Sequence, residues 1–149
     1  MKTLLLVLAV TVGIGQADAQ RIKSNEVPDE VRKELEKKFN VKDADWDKEG
    51  ENYEASFKRK GSEISVVFGV NGRILETEHE INKNELPPAV LKALMLDYEG
   101  YKIEEAARIE SGGVFTYEAE VEKEEQTFDL IFDAQGKLLK KVVLEEDEG

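Results

Sequence analysis

Val27-Pro28-Asp29-Glu30-Val31-Arg32-Lys33-Glu34-Leu35 and Leu86-Pro87-Pro88-Ala89-Val90-Leu91-Lys92-Ala93-Leu94 are two versions of one segment, 59 residues apart. Phe39 and Tyr98 extend the match at the same offset. Further on, Tyr53-Glu54-Ala55 returns as Tyr117-Glu118-Ala119. Phe68-Gly69-Val70-Asn71-Gly72-Arg73-Ile74-Leu75 returns as Phe132-Asp133-Ala134-Gln135-Gly136-Lys137-Leu138-Leu139, now at an offset of 64. The chain is therefore an internal repeat, and a repeat decides the architecture before any other feature does. The copies span 27–81 and 86–144, and the second carries a small insertion between its first segment and its Tyr-Glu-Ala strand. Residues 82–85 read as a short polar joint.

Each copy opens with a helix. Pro28 and Pro87 stand where Pro is tolerated, in a first helical turn. Val31, Leu35 and Phe39 recur every four residues and make one apolar stripe. Val90, Leu94 and Tyr98 repeat that stripe, and Leu91 and Met95 are expected to widen it. Asp29 and Glu30 suit the first helix's N-terminus, Lys37 and Lys38 its C-terminus, and Asn40 and Gly100 end the two helices.

About four antiparallel strands follow in each copy. Residues 43–47 and 52–58 alternate apolar with polar, and Ile64, Val66 and Phe68 share one face. Asn71-Gly72 predicts a two-residue type I′ hairpin, and Gly112-Gly113 reads as a hairpin turn before Phe115. The fold class expected is α+β: two tandem repeats of a helix plus a four-stranded antiparallel sheet, joined into one eight-stranded sheet with helices on one face or left separate. The helix should cover Tyr53, Ala55, Phe57, Ile64, Val66 and Phe68 in copy one. In copy two it should cover Phe115, Tyr117, Ala119, Val121, Phe128, Leu130 and Phe132. Alternation leaves the other sheet face polar and open to water.

Composition narrows the function. The 149 residues include 33 Asp+Glu against 21 Lys+Arg, one His and no Cys, for a net charge of −12. No Cys excludes a disulfide scaffold, a thiolate metal site and a Cys nucleophile. One His excludes a multi-His metal centre, and the acidic charge disfavours nucleic acid. Residues 1–20 read as a secretory leader: Lys2, an apolar run from Leu4 to Val12, then Ala17-Asp18-Ala19 as the small-x-small site. The run is too short to cross a bilayer core of about 30 Å, so the chain is read as not membrane-spanning. Cleavage near Ala19-Gln20 gives a periplasmic or secreted protein, with residues 1–19 as leader, 20–82 as repeat one and 83–149 as repeat two. About 130 residues can bury roughly two-thirds of their surface, so packing alone can hold the fold.

The (Val/Leu)-Pro helix start, the Tyr-Glu-Ala strand and the Phe-x-x-(Asn/Gln)-Gly-(Arg/Lys)-(Ile/Leu)-Leu hairpin, in tandem behind a leader, resemble the PepSY-like family. That family is similar in fold to the β-lactamase inhibitory proteins and common in the periplasm of Bacteroides-type bacteria. The resemblance covers nearly all of 27–144. It implies a small α+β module that binds, and in some relatives inhibits, a protein or peptide partner, with no catalytic residues and no cofactor.

The partner-binding candidates are the residues that alternation places on the open face. They are Glu54, Ser56, Lys58, Ser65 and Val67 in copy one, and Thr116, Glu118, Glu120, Thr127, Asp129 and Ile131 in copy two. Val67 and Ile131 are apolar residues on a polar face, which fits binding anchors and scattered surface apolar residues equally. Glu118, Glu120, Glu122, Glu124 and Glu125 form an acidic strand and turn that reads as a solvated charge run, with a basic partner patch as its functional alternative; acid–base chemistry would need a pocket that an open face does not provide. Asp43, Asp45, Asp47 and Glu49 have the two-residue spacing of a calcium loop, but Lys48 stands where its Gly belongs, so a solvated strand face competes with a calcium or cation site. His79 among acids reads as a surface residue rather than a metal ligand. The expected protein is a non-enzymatic binding module, monomeric or paired through an edge strand, with a calcium- or cation-binding envelope protein as the alternative.

Overall fold

A computed structural model describes residues 19–145. The leader expected over 1–19 lies, but for its last residue, outside the described residues. The elements are β1 (Gln20–Ile22), a 3-10 turn (Ser24–Glu26), α1 (Asp29–Phe39), β2 (Asp45–Glu49), β3 (Asn52–Arg59), β4 (Ser62–Phe68) and β5 (Ile74–Glu80). A second 3-10 turn (Lys83–Glu85), α2 (Pro88–Asp97), β6 (Lys102–Ser111), β7 (Val114–Lys123), β8 (Gln126–Asp133) and β9 (Leu138–Glu145) complete the chain. Strand order in the sheet follows chain order, β1 to β9.

The described residues form nine strands where eight were expected, because the repeat starts earlier than its helix. Ile22-Lys23-Ser24-Asn25-Glu26-Val27 leads into Pro28 as Ile81-Asn82-Lys83-Asn84-Glu85-Leu86 leads into Pro87. β1 thus stands to α1 as β5 stands to α2, and β5 also closes the first copy in sequence. Residues 82–85 are a folded turn, not a loose joint: Glu85 Oε2 accepts the Asn82 backbone N–H at 2.8 Å, as Glu26 Oε2 accepts that of Lys23. Each pairing satisfies one orphan backbone N–H at a turn entrance.

The chain divides into two compact units: residues up to 57 with 65–74, and residues 58–64 with 75 onward. In the first, Val31 and Leu35 are buried along the predicted stripe, together with Val27, Trp46, Tyr53, Ala55, Phe57, Val66 and Phe68. Phe39 packs edge-on to Phe57 at 5.6 Å between ring centroids. Asn40 ends α1 in the left-handed region, φ 53°, donating its N–H to Glu36 O at 2.8 Å. In the second unit Leu86, Val90 and Leu94 pack with Ala106, Ala119, Val121, Phe128, Leu130 and Phe132. Met95 does not widen the stripe; it is 76% exposed, because it sits about 100° round the helix from Leu94. Phe115 also lies outside this core, exposed, with the Arg108 guanidinium 5.5 Å from its ring centroid.

The Asn71-Gly72 turn differs from the expected type I′. Gly72 has φ +79°, but Asn71 is not in the left-handed region. Gly72 N–H donates to Gly69 O at 3.0 Å, and Asn71 Oδ1 accepts the Arg73 N–H. This is a three-residue loop closed by a left-handed glycine. Gly136 (φ +84°) repeats it, with N–H to Asp133 O at 3.1 Å. A Cβ on Gly72 would lie 3.0 Å from Glu30 O, and one on Gly136 2.4 Å from Ala89 O. The recurring helix start and the recurring hairpin therefore touch each other, which is why the hairpin needs its glycine in both copies. True two-residue turns with positive φ at both centres occur at Lys60-Gly61, unforeseen in sequence, and at Gly112-Gly113.

Candidate functional site

β7 runs between β6 and β8, and its register sets the face that points away from α2. Glu120 stands opposite Glu105 on β6 and opposite Asp129 on β8. Two residues on, Glu118 stands opposite Ala107 and Ile131. Thr116 faces Ile109 and Asp133, and Thr127 faces Glu122. The ladder to β5 adds Glu78, opposite Ile109. All six residues expected in the second copy thus share one face. Sequence reading missed Glu105, because an irregularity between Ile103 and Glu105 shifts the alternation, and it missed Glu76 and Glu78 on β5.

The expectation that this face lies open to water is not met. Glu118 is 5%, Asp129 2%, Ile131 6% and Glu78 0% exposed, and Glu76, Glu120, Thr127, Ala107 and Ile109 are also buried. Thr116, Glu105, Glu122 and Asp133 are half-exposed on the same face. Alternation assigns a side chain to a face but says nothing about whether water reaches that face. The electrostatic consequence is large. Burial, then the neighbouring Asp129 and Glu120 charges, push the Glu118 carboxyl up to about 8. Burial and the Glu120 and Glu105 charges push Asp129 to about 6. A carboxylate resists ionising where water cannot solvate it and like charges surround it. Glu118 Oε2 and Asp129 Oδ1 are buried with no hydrogen-bond partner among the described residues.

The first unit carries its own polar face. Glu54, Ser65 and Val67 are buried there, against the expectation of exposure, and the Ser56 and Ser65 hydroxyls meet at 3.0 Å. Lys58, near the end of β3, is exposed as expected. Asp45, Asp47 and Glu49 point to the face of Glu54 through β2, while Asp43 precedes the strand. Arg21 of β1, opposite Asp47, places Nη1 3.0 Å from Asp45 Oδ1 and Nε 3.2 Å from Asp47 Oδ1. The calcium-like spacing is therefore bridged by a guanidinium. Among the described residues no group of three or more His, Asp or Glu is arranged to hold a metal ion. His79 stands opposite Arg108, and burial with the Arg108 charge lowers its pKa, which leaves it neutral near pH 7.

Paired carboxylates of unequal proton affinity can serve acid–base chemistry when a substrate cleft opens on them. A groove along α1 in the first unit is lined by Ser24, Asp29, Arg32, Lys33, Glu36 and Lys42. Among the described residues no helix is long and apolar enough to cross a membrane.

Comparison with known proteins agrees with this architecture. A protein from Bacteroides fragilis described as BLIP-like is 29% identical, with a TM-score of 0.66 over 81% of this chain and 89% of that one. A protein from Bacteroides eggerthii, described as "putative periplasmic", is 18% identical with a TM-score of 0.74 over 80% and 90%. A DUF2874 family protein from Bacteroides uniformis is 19% identical with a TM-score of 0.71 over 78% and 89%. The latter two share the fold. No curated protein matches this chain. The model of the family described as "Putative beta-lactamase-inhibitor-like, PepSY-like" matches twice, over residues 16–76 and 51–140. Those two matches take in both helices and nearly every strand, and the chain belongs to the PepSY-like family.

Proposed function

We propose that the chain is an exported, non-enzymatic binding module that recognises or inhibits a protein or peptide partner through the sheet face turned away from its helices. The observation that carries this reading is the pair Glu118 and Asp129: each is buried with a carboxylate oxygen unpartnered among the described residues, beside the apolar Ile131 and Ile109. Leaving a buried acceptor unsatisfied costs about 1–3 kcal/mol, a cost that folds tolerate mainly at functional sites. The BLIP-like description of the Bacteroides fragilis relative supports a protein as the partner. Glu120, Thr116 and Thr127 extend this surface in the second unit, and Glu54, Ser65 and Val67 form the corresponding surface of the first. The leader pattern and the periplasmic description of the Bacteroides eggerthii relative support an envelope location. β9 ends the sheet with Leu139 and Val143 exposed, so the module works as a monomer or as a dimer paired along that edge.

The test is affinity capture with residues 20–149 as bait, against the envelope and secreted fractions of the source organism, read by mass spectrometry. One enriched protein that is lost when Glu118 and Ile131 are replaced supports the reading. Absence of any specific partner from both fractions overturns it.

A further inference from the structure

Three acids stand directly opposite one another across β6, β7 and β8: Glu105, Glu120 and Asp129. Like charges in opposed positions destabilise a sheet. A bulge helps to build this row. Ile103 pairs with Val121, but Glu105, not Glu104, pairs with Glu120. Glu104 is the extra residue and forms an ion pair with Lys102 at 2.6 Å. The bulge thereby keeps Ala106 in the core and sends Glu105 to the acidic face. Glu118 follows on β7, its oxygen Oε2 and that of Asp129 (Oδ1) buried and unpartnered among the described residues. The base that the ladder places on this face from β9 is Lys140, opposite Ile131, and it is exposed.

We propose that this cluster seats an organic cation, the guanidinium or ammonium of a basic side chain on the partner. The inference rests on the reading of this face as the partner-binding surface and adds the chemistry it selects. A metal ion fits poorly. Calcium needs six to eight oxygens converging on one point at about 2.3–2.6 Å. No metal-holding group occurs among the described residues. A guanidinium needs no such convergence: five N–H donors in a planar fork reach carboxylates on two strands at about 2.7–2.9 Å. Ile131 and Ile109, buried on the same face, offer apolar surface to the stem of such a side chain.

Proton release follows. Near neutral pH the Glu118 carboxyl keeps its proton, held up by burial and by the Asp129, Glu120, Glu105 and Glu76 charges around it. An arriving cation favours the ionised form, so the proton leaves to solvent as the cation binds. Affinity therefore climbs as pH rises from about 6 to 8, the interval in which the free pair ionises. Lys140 on β9, opposite Ile131, and Lys102 on β6, opposite Glu122, are bases that the ladder places on this face.

The experiment is isothermal titration of the full chain with four probes: agmatine, spermidine, an arginine-containing peptide and its citrulline counterpart. Agmatine and the arginine peptide are expected to bind, about tenfold more weakly after Glu118→Gln or Asp129→Asn, and the citrulline peptide not to bind. Two buffers of different ionisation heat should show net proton release near pH 7, a readout that needs no variant. If the free cations bind and the arginine peptide does not, the cation site stands and the partner reading falls. If the arginine and citrulline peptides bind equally, or a captured partner binds both variants as it binds the wild type, the cation inference falls and the partner reading stands. No binding of any basic probe at millimolar concentration overturns the inference.

Discussion

Glu118 and Asp129 connect the packing of single residues to a measurable property. An exposed glutamate or aspartate ionises near 4, but here the folded pair holds protons to about 8 and about 6. Between the unfolded and folded values the native state binds more protons than the unfolded one, so stability falls as pH rises. For Asp129 the loss is complete by about pH 6, and for Glu118 it continues to about pH 8. Thermal melts should accordingly show a lower Tm at pH 8 than at pH 5. Glu118→Gln should flatten the curve between pH 6 and 8 and exceed the wild type at pH 8 by on the order of 1–3 kcal/mol. Parallel curves for the two proteins would contradict this. Arg21 makes a contrast. Its pairs with Asp45 and Asp47 are partly exposed, so Arg21→Ala should cost at most about 1 kcal/mol in urea denaturation. At this scale the sequence told which residues share a face, since Glu118, Glu120, Asp129 and Ile131 follow a period of two. It concealed the burial of that face, which depends on neighbours distant in the chain. It also concealed Glu105, whose alternation is broken by the bulge.

Within single elements, the apolar spacing and the turn glycines hold different parts of each unit. Leu94 is buried in the core of its unit while Met95, next along α2, faces solvent. Leu94→Ala should cost about 2–5 kcal/mol and Met95→Ala under about 0.5 kcal/mol, again by urea denaturation. The hairpin glycines give a graded pair. Alanine at either position is strained by positive φ, at about 1–2 kcal/mol. At Gly136 its Cβ would also overlap Ala89 O at 2.4 Å, whereas Gly72 offers 3.0 Å to Glu30 O. Gly136→Ala should therefore destabilise more than Gly72→Ala, and both more than Gly113→Ala, which has open space around it. Equal losses at all three would remove the contact between hairpin and helix start from the account. The elements themselves were legible: both helices, the Gly112-Gly113 turn and the Tyr-Glu-Ala strands are where periodicity puts them. The Asn71-Gly72 turn type was not, because a dipeptide signal cannot distinguish a two-residue loop from a three-residue loop ending in the same glycine.

For the whole chain, repetition was the most informative signal. The duplicated Val-Pro and Leu-Pro segments gave two helix-plus-sheet copies, and two matches to one family model agree. The ninth strand escaped notice because β1 is only three residues long and has no alternation to read. Function was legible only as far as a face. Nothing in the order of the residues distinguished solvated acids from buried ones, and that distinction separates an inert polar surface from one poised to receive a charge. The most direct measurement is a carboxyl carbon NMR titration of the full chain with Glu118 and Asp129 assigned, free and saturated with agmatine. The account predicts apparent midpoints near 8 and 6 in the free chain, both moved downward by agmatine. Both groups titrating near 4 in the free chain, like solvated carboxylates, would show that water reaches this face and would contradict the account.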